Sequence, residues 1–288
     1  MTTLIPRPHY TERIAPFIGK NIIKVLTGQR RIGKSFILRQ VMEEIRRKAP
    51  EAHIISINKE LEQFRDIRTH EDLSHYLEPL LSKPGPHYLF IDEVQEIEDF
   101  QFCLRSLLAE EKCDIFCTGS NAQMLSGELA THLAGRSVSF DVHSLSYREF
   151  LTFHRLEAGL ENLKKYLTFG GMPYLAHIGL EADGPFEFLR SVYSTILLKV
   201  TVAREKLRNV HFLEDLVAYL ADNIGNLFSA NNISKFLKSQ RVDLSPQVTL
   251  NYLRALSNAY LIHRVSRSEE GGMKIFETGE KFYFEDSG

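Results

Sequence analysis

Gly28-Gln29-Arg30-Arg31-Ile32-Gly33-Lys34-Ser35 fits the pattern Gly-x4-Gly-Lys-Ser/Thr and lies between an apolar run and an amphipathic one. In such a loop the glycines let the backbone curl, so that successive N–H groups point inward at a polyphosphate, as does the N-terminus of the following helix. The expected nucleotide-binding residues are therefore Gly28, Gln29, Arg30, Arg31, Ile32, Gly33, Lys34, Ser35 and Phe36. Lys34 would reach the terminal phosphates, and Ser35 would help hold Mg2+ through its hydroxyl. Upstream, Ile22-Ile23-Lys24-Val25-Leu26 reads as a strand buried in a parallel sheet. Downstream, Ile37, Val41 and Ile45 form one helical stripe and Leu38 and Met42 an adjacent one, with Pro50 as the stop. Strand, turn and helix in this order are the context the motif needs, and a mere tight turn is the competing reading.

The second informative stretch is His87-Tyr88-Leu89-Phe90-Ile91-Asp92-Glu93, an apolar strand ending in two carboxylates. Buried carboxylates cost energy unless they meet a cation or donors, and a phosphate loop supplies that reason. Asp92 would bind Mg2+ beside Ser35, and Glu93 would orient and deprotonate the water attacking the γ-phosphate. The alternative is a pair of acids at an exposed strand end. Another strand, Asp114-Ile115-Phe116-Cys117-Thr118, ends in Gly119-Ser120-Asn121, where Asn121 or Ser120 would either sense the γ-phosphate or cap the next helix. Arg136, before the alternating strand Ser137 to Val142, is either an arginine finger for the transferring phosphoryl group or a structural ion pair. Lys34, Glu93, Asn121 and Arg136 are the catalytic candidates, and Ser35 and Asp92 the metal ligands.

The chain has 288 residues and a formal charge of -2, so bulk positive charge for coating nucleic acid is lacking and about two domains are expected. Cys103, Cys113 and Cys117 are too few and too irregular for a disulfide framework or a zinc site, and a reducing cytoplasm is the simpler reading. There is no leader-like start and no apolar run near the roughly 20 residues of a membrane span, so no membrane partner is expected.

Residues 1–20 read as an arm whose Arg7 or Tyr10 either stacks on an adenine or stays on the surface. Helices are expected at Thr69 to Leu81, from Phe100 to Leu108, at Leu125 to Leu133, and through Leu145 to Arg208. The cluster Lys199, Arg204, Lys206 and Arg208 there is either a solvated face or a contact to nucleotide or partner. In the last third, Phe212, Leu213, Leu216, Leu220 and Ile224 suggest one helix, and Ser229 caps a second. Ser245-Pro246 opens a third with Val248, Tyr252, Leu256 and Tyr260. Leu261 to Ser266 and Met273 to Glu277 flank Gly271-Gly272 as a hairpin, which together makes a winged helix-turn-helix. Between Ser229 and Lys274 seven Lys or Arg face three acids, a local +4. This leaves DNA contact through Arg254, Arg264 and Arg267 open beside a protein-binding role.

With these residues in hand, the chain resembles prokaryotic AAA-superfamily ATPases that carry a C-terminal domain of unknown function, number 4143. The likeness rests on Thr27 to Ser35, on Phe90-Ile91-Asp92-Glu93-Val94-Gln95 and on Thr118-Gly119-Ser120-Asn121. Leu125-Ser126-Gly127-Glu128, Leu133-Ala134-Gly135-Arg136, Leu145 to Phe150 and Gly170-Gly171-Met172-Pro173 reinforce it. It implies an α/β P-loop NTPase of the AAA/ASCE type, a parallel sheet with flanking helices and an extra strand between the loop and Asp-Glu strands, with ATP/ADP and Mg2+ as ligands. The expected layout is an arm at 1–20, the P-loop domain at 21–150, a helical lid at 151–211 and the winged helix-turn-helix at 212–288. The resemblance implies that family members generally continue past the winged helix into a nuclease-like region, and the expectation for this sequence, which stops at Phe284-Glu285-Asp286-Ser287-Gly288, is either a shortened chain or a natural variant without it. The expected function is an ATP-hydrolysing switch that moves its winged helix. The alternatives are a nucleotide-gated DNA-binding regulator and a protein adaptor with little hydrolysis, and a homo-oligomer would be needed for a finger acting in trans.

Overall fold

The strand before the loop, β1 (Ile23–Thr27), is buried along its whole length, as a central strand covered on both faces must be. The computed structural model describes residues 4–122, 133, 135–181, 183–198, 210–228, 233, 245–265 and 280–288. Helix α1 (Pro8–Ile14) precedes β1, and α2 (Lys34–Lys48) follows it. Then come β2 (His53–Asn58), α3 (His70–Leu81), β3 (His87–Asp92), α4 (Phe100–Ala109), β4 (Asp114–Gly119) and β5 (Ser137–Asp141). The chain divides into two units, 1–143 and 144–288.

In the first unit the five strands form one sheet in the order β2-β3-β4-β1-β5, and every pairing is parallel. The expected extra strand is β4, inserted between the loop strand and the Asp-Glu strand. One face carries Ile23, Val25, Ile55, Ile57, Leu89, Ile91, Ile115 and Cys117 against the apolar sides of α3 and α4. The stripe of α2, Ile37, Leu38, Val41, Met42 and Ile45, is buried as its spacing predicts. That helix ends at Lys48, because Ala49 before Pro50 leaves the helical region (φ -136°, ψ 78°). Thr69 caps α3 in a reciprocal box with Asp72.

Arg7 and Tyr10 correct the expectation that they either stay on the surface or stack on an adenine. Arg7 and Tyr10 are buried at 2% and 4% exposure. The Arg7 guanidinium donates to the Ile32 and His143 carbonyls at 3.0 Å each and lies 4.6 Å from the Tyr10 ring centre. The Tyr10 hydroxyl accepts from the His143 N–H at 3.0 Å. These groups brace the phosphate loop from behind.

The second unit starts with α5 (Tyr147–His154), capped by Ser146 with Glu149, followed by α6 (Leu160–Phe169), α7 (Leu175–Ile178) and α8 (Gly184–Thr195). After these come α9 (Val210–Asp222) and α10 (Pro246–Asn258), the latter capped by Ser245. The antiparallel pair β6 (Ile262–Val265) and β7 (Lys281–Phe284) completes the unit. Three details differ from the sequence reading. Ile224 lies beyond α9 and is 51% exposed. The buried stripe of α10 runs through Thr249, Tyr252, Leu253 and Leu256, leaving Val248 half-buried. The partner of β6 is Lys281–Phe284, whereas Met273 to Glu277 lie outside the described residues. Also outside them are Lys199, Arg204, Lys206, Arg208, Arg267, the expected helix at 125–132 and the one opening at Ser229, of which only Ile233 is described. The glycine pair at 170–171 has a packing reason: Gly170 is left-handed (φ +72°), and a Cβ there would stand 1.7 Å from the Asp286 carboxylate, which accepts the Gly171 N–H at 2.8 Å. Among the described residues, no helix is long and apolar enough to cross a membrane.

Candidate functional site

In a parallel sheet all strands deliver their C-terminal ends to one edge, so residues that follow β1, β3 and β4 meet there. The loop after β1 has left-handed backbone at Gly28 (φ 137°), Arg31 (φ 72°) and Gly33 (φ 95°). Gly28 has no alternative: a Cβ on it would lie 2.1 Å from the Val142 carbonyl oxygen and 2.6 Å from Ile32. Arg31 holds a left-handed conformation without being glycine, which stores strain of about 1–3 kcal/mol where the loop tightens. Arg30 reaches out to Glu60 at 2.9 Å, Ile32 is fully buried, and Phe36 is 40% exposed with Arg39 over its ring. Gln29 is buried, and its amide oxygen has no hydrogen-bond partner among the described residues.

Lys34 is buried, and its ammonium donates to the carbonyls of Gly28 at 2.9 Å and Gln29 at 2.8 Å. It stands 4.0 Å from Glu93 Oε1. Burial pushes its pKa down, opposed chiefly by the charges of Glu93 and Asp92. Asp92 ends β3 and is 7% exposed. It accepts from the Thr118 hydroxyl at 2.6 Å, and Ser35 is its second hydroxyl partner. Burial pushes this carboxyl up against those two hydrogen bonds. A buried carboxylate with a serine hydroxyl beside it is an all-oxygen, hard donor set, which fits Mg2+.

Glu93 adopts a left-handed conformation (φ 58°, ψ 53°), and its N–H donates to Thr118 Oγ1 at 2.9 Å. Its Oε2 accepts from Ser120 Oγ at 2.9 Å and from Gln95 Nε2. Burial pushes the Glu93 carboxyl up, but Lys34, Gln95 and Ser120 together bring it below the usual carboxylate range. Thr118 and Gln95 had no role assigned from sequence. The readable signal for Thr118 was a polar residue at the end of an apolar strand, since the register Ile91↔Cys117 sets it beside Asp92.

The structure thus brings Gly28 to Ser35, Asp92, Glu93 and Ser120 together. Asn121 is one residue beyond Ser120 and half-buried, and it is Ser120 that holds Glu93. Arg136 is elsewhere. Its carbonyl accepts from the Ile23 N–H at 2.9 Å, and the next residue pairs with Ile23. This is the N-terminal edge of the sheet, about 16 Å of strand from the loop at a rise of roughly 3.3 Å per residue. Arg136 therefore cannot serve this chain's own loop, which corrects its candidacy as a finger in cis.

Comparison with known proteins agrees with this geometry. Residues 20–151 match the model of an AAA domain, and residues 160–288 match a domain of unknown function, DUF8612, a number other than the one the sequence resemblance gave. An uncharacterised protein of Haemophilus influenzae is 31% identical over 99% of this chain and 72% of its own length. An uncharacterised protein of Methanocaldococcus jannaschii is 31% identical over 84% of this chain and 56% of its own. The fold is similar to that of a Walker-type ATPase of Pyrococcus abyssi, at a TM-score of 0.62 and 16% identity over 98% of this chain and 93% of that one. With the phosphate loop, the inserted β4 and the Asp-Glu strand end in place, residues 20–151 are an AAA domain with the P-loop fold, and the chain belongs to one family with the Haemophilus influenzae protein.

Proposed function

We propose that this protein binds Mg-ATP on the loop Gly28 to Ser35 and hydrolyses it to ADP and phosphate. The observation that carries the reading is the convergence of Lys34, Asp92 and Glu93 on one loop, with Glu93 at 4.0 Å from the Lys34 ammonium. Ser35 and Asp92 would hold Mg2+, which when bound neutralises charge on the phosphate oxygens. Lys34 exchanges its loop carbonyls for phosphate oxygens, and Glu93 takes a proton from the water that attacks the γ-phosphorus. The oxygen bridging to the β-phosphate leaves with the electron pair. A base kept below the usual carboxylate range stays ionised, and so available, at neutral pH.

In the second unit, α5 to α8 would serve as a helical lid. Helices α9 and α10, the β6–β7 pair and the Phe228–Glu280 bridge support the reading of a winged helix. Turnover would move this unit. Arg254 is exposed on α10, while Arg264 pairs with Glu280 at 3.2 Å, so a phosphate contact there must displace an acid. A protein partner and duplex DNA separate by salt, since only DNA retention falls steeply with it. Arg136 as a finger in trans would make turnover per chain rise with protein concentration. The test of the central reading is E93Q, which keeps nucleotide binding and abolishes phosphate release. Turnover at the wild-type rate would remove Glu93 from the mechanism.

A further inference from the structure

We propose that Gln95 is a positioning residue for the base, a side chain that fixes which oxygen of Glu93 works on water. The inference rests on the hydrolytic reading above. Because Glu93 turns left-handed, the chain doubles back at once into the short turn Val94–Glu96, closed by Glu96 N–H to Glu93 carbonyl at 3.0 Å. That reversal returns the Gln95 side chain to its neighbour. Its Nε2 donates to Glu93 Oε2 and lies 3.5 Å from Ser120 Oγ, which itself donates to the same carboxylate oxygen at 2.9 Å. Only the NH2 end of an amide can face a carboxylate, so the amide has one orientation here. With Oε2 claimed by two donors, Oε1, on the Lys34 side, is the oxygen left to receive a proton.

The amide's other end makes the same point from the side of stability. Gln95 Oε1 is buried and has no hydrogen-bond partner among the described residues, a condition that buried acceptors rarely tolerate. A glutamine chosen for stability would turn outward to water or be replaced by an apolar residue of the same shape. The arrangement keeps a donor on Glu93 and leaves its own carbonyl without a partner among the described residues, a local cost of the kind that functional sites carry.

The test uses the full chain carrying Q95M, which keeps the length and shape without either polar end, and Q95E, which replaces the donor with a like charge. Positioning predicts a kcat for ATP lowered roughly 10- to 100-fold in Q95M, the scale of a base displaced by about 1 Å, and lower still in Q95E. KM and the dissociation constant for a fluorescent ATP analogue should stay within about twofold of wild type, because Gln95 acts through Glu93 alone. The denaturation midpoint of Q95M should match wild type, because the lost bond and the removed unpaired carbonyl offset each other. Adding Q95M to E93Q should leave nucleotide affinity and the denaturation midpoint as they are in E93Q, since a residue that acts through another has no effect once that one is gone. Wild-type kcat in Q95M while E93Q is inactive would overturn the inference and leave the hydrolytic reading standing. Loss of nucleotide binding or a large fall in the midpoint would also overturn it, by making Gln95 structural. If E93Q itself turned over normally, the hydrolytic reading would fail first.

Discussion

Thr118 is the side chain on which the two acids depend together, and T118V isolates that role. Its hydroxyl donates to Asp92 at 2.6 Å and accepts the Glu93 N–H at 2.9 Å, with no exposure to solvent. Valine keeps the shape and removes both bonds. The Glu93 N–H, left buried and unpaired, costs about 1–3 kcal/mol, and the lost bond to a carboxylate about 1.5–3 kcal/mol. Because both losses fall in one network they do not add, and we expect about 3 kcal/mol in total. The loss should be local. Hydrogen exchange followed by mass spectrometry should show faster exchange in peptides covering β3 and β4, with α10 and the β6–β7 pair unchanged. The Mg2+ concentration that half-saturates turnover should rise, because the Asp92 oxygen has lost the hydroxyl that orients it. T118S restores the hydroxyl without the methyl and should recover most of both effects. If T118V exchanged like wild type, or T118S were as impaired as T118V, the bridging hydroxyl would not be what holds the acids and the argument would fail.

Three further outcomes follow from named contacts. G28A brings a Cβ to 2.1 Å from the Val142 carbonyl at a backbone φ of +137°; we expect loss of nucleotide binding in a fluorescence titration, and wild-type affinity would contradict the cradle. D114N leaves Lys24, fully buried beneath it, without its counter-charge, which should lower stability by about 3–5 kcal/mol in urea denaturation, while K24M/D114L should recover most of it; an unchanged D114N would refute the pairing. His87, stacked 4.9 Å from His53, has its pKa lowered below 6.5 by burial and then by the His53 charge. The unfolded chain therefore binds a proton that the folded chain refuses, so stability present above 6.5 is lost as pH falls through the folded value. H87F should flatten that dependence of the denaturation midpoint on pH, and an identical slope would assign it to other groups.

The features that were legible in the sequence are local ones. The stripe of α2, the glycine spacing of the loop and the apolar run ending in Asp92-Glu93 each declare themselves within one element, and the structure places them as spaced. What the sequence hid depends on backbone reversals and on distant partners. Glu93 is left-handed although glutamate carries no preference for that region, so nothing announced that Gln95 would fold back onto it. Arg7 reads as surface by its charge, and it is buried because two carbonyls from residues 32 and 143 receive its guanidinium. Lys24 interrupts an apolar run without comment, and only the register of β1 against β4 brings it to Asp114.

Arg136 is the instructive case, because its misplacement was avoidable on topological grounds alone. Every strand of a parallel sheet runs the same way, so a residue just after a strand lies at the edge where ligands bind, and one just before a strand lies at the opposite edge. Lys34, Glu93 and Ser120 all follow strands, whereas Arg136 immediately precedes β5. Once Ser137 to Val142 is read as a strand parallel to the one before the loop, Arg136 is assigned to the far edge from chain order alone, as the pairing of Ser137 with Ile23 places it. The same ordering explains why Ser120 reached Glu93 and why an arginine finger for this loop must come from another molecule or from a residue that follows a strand.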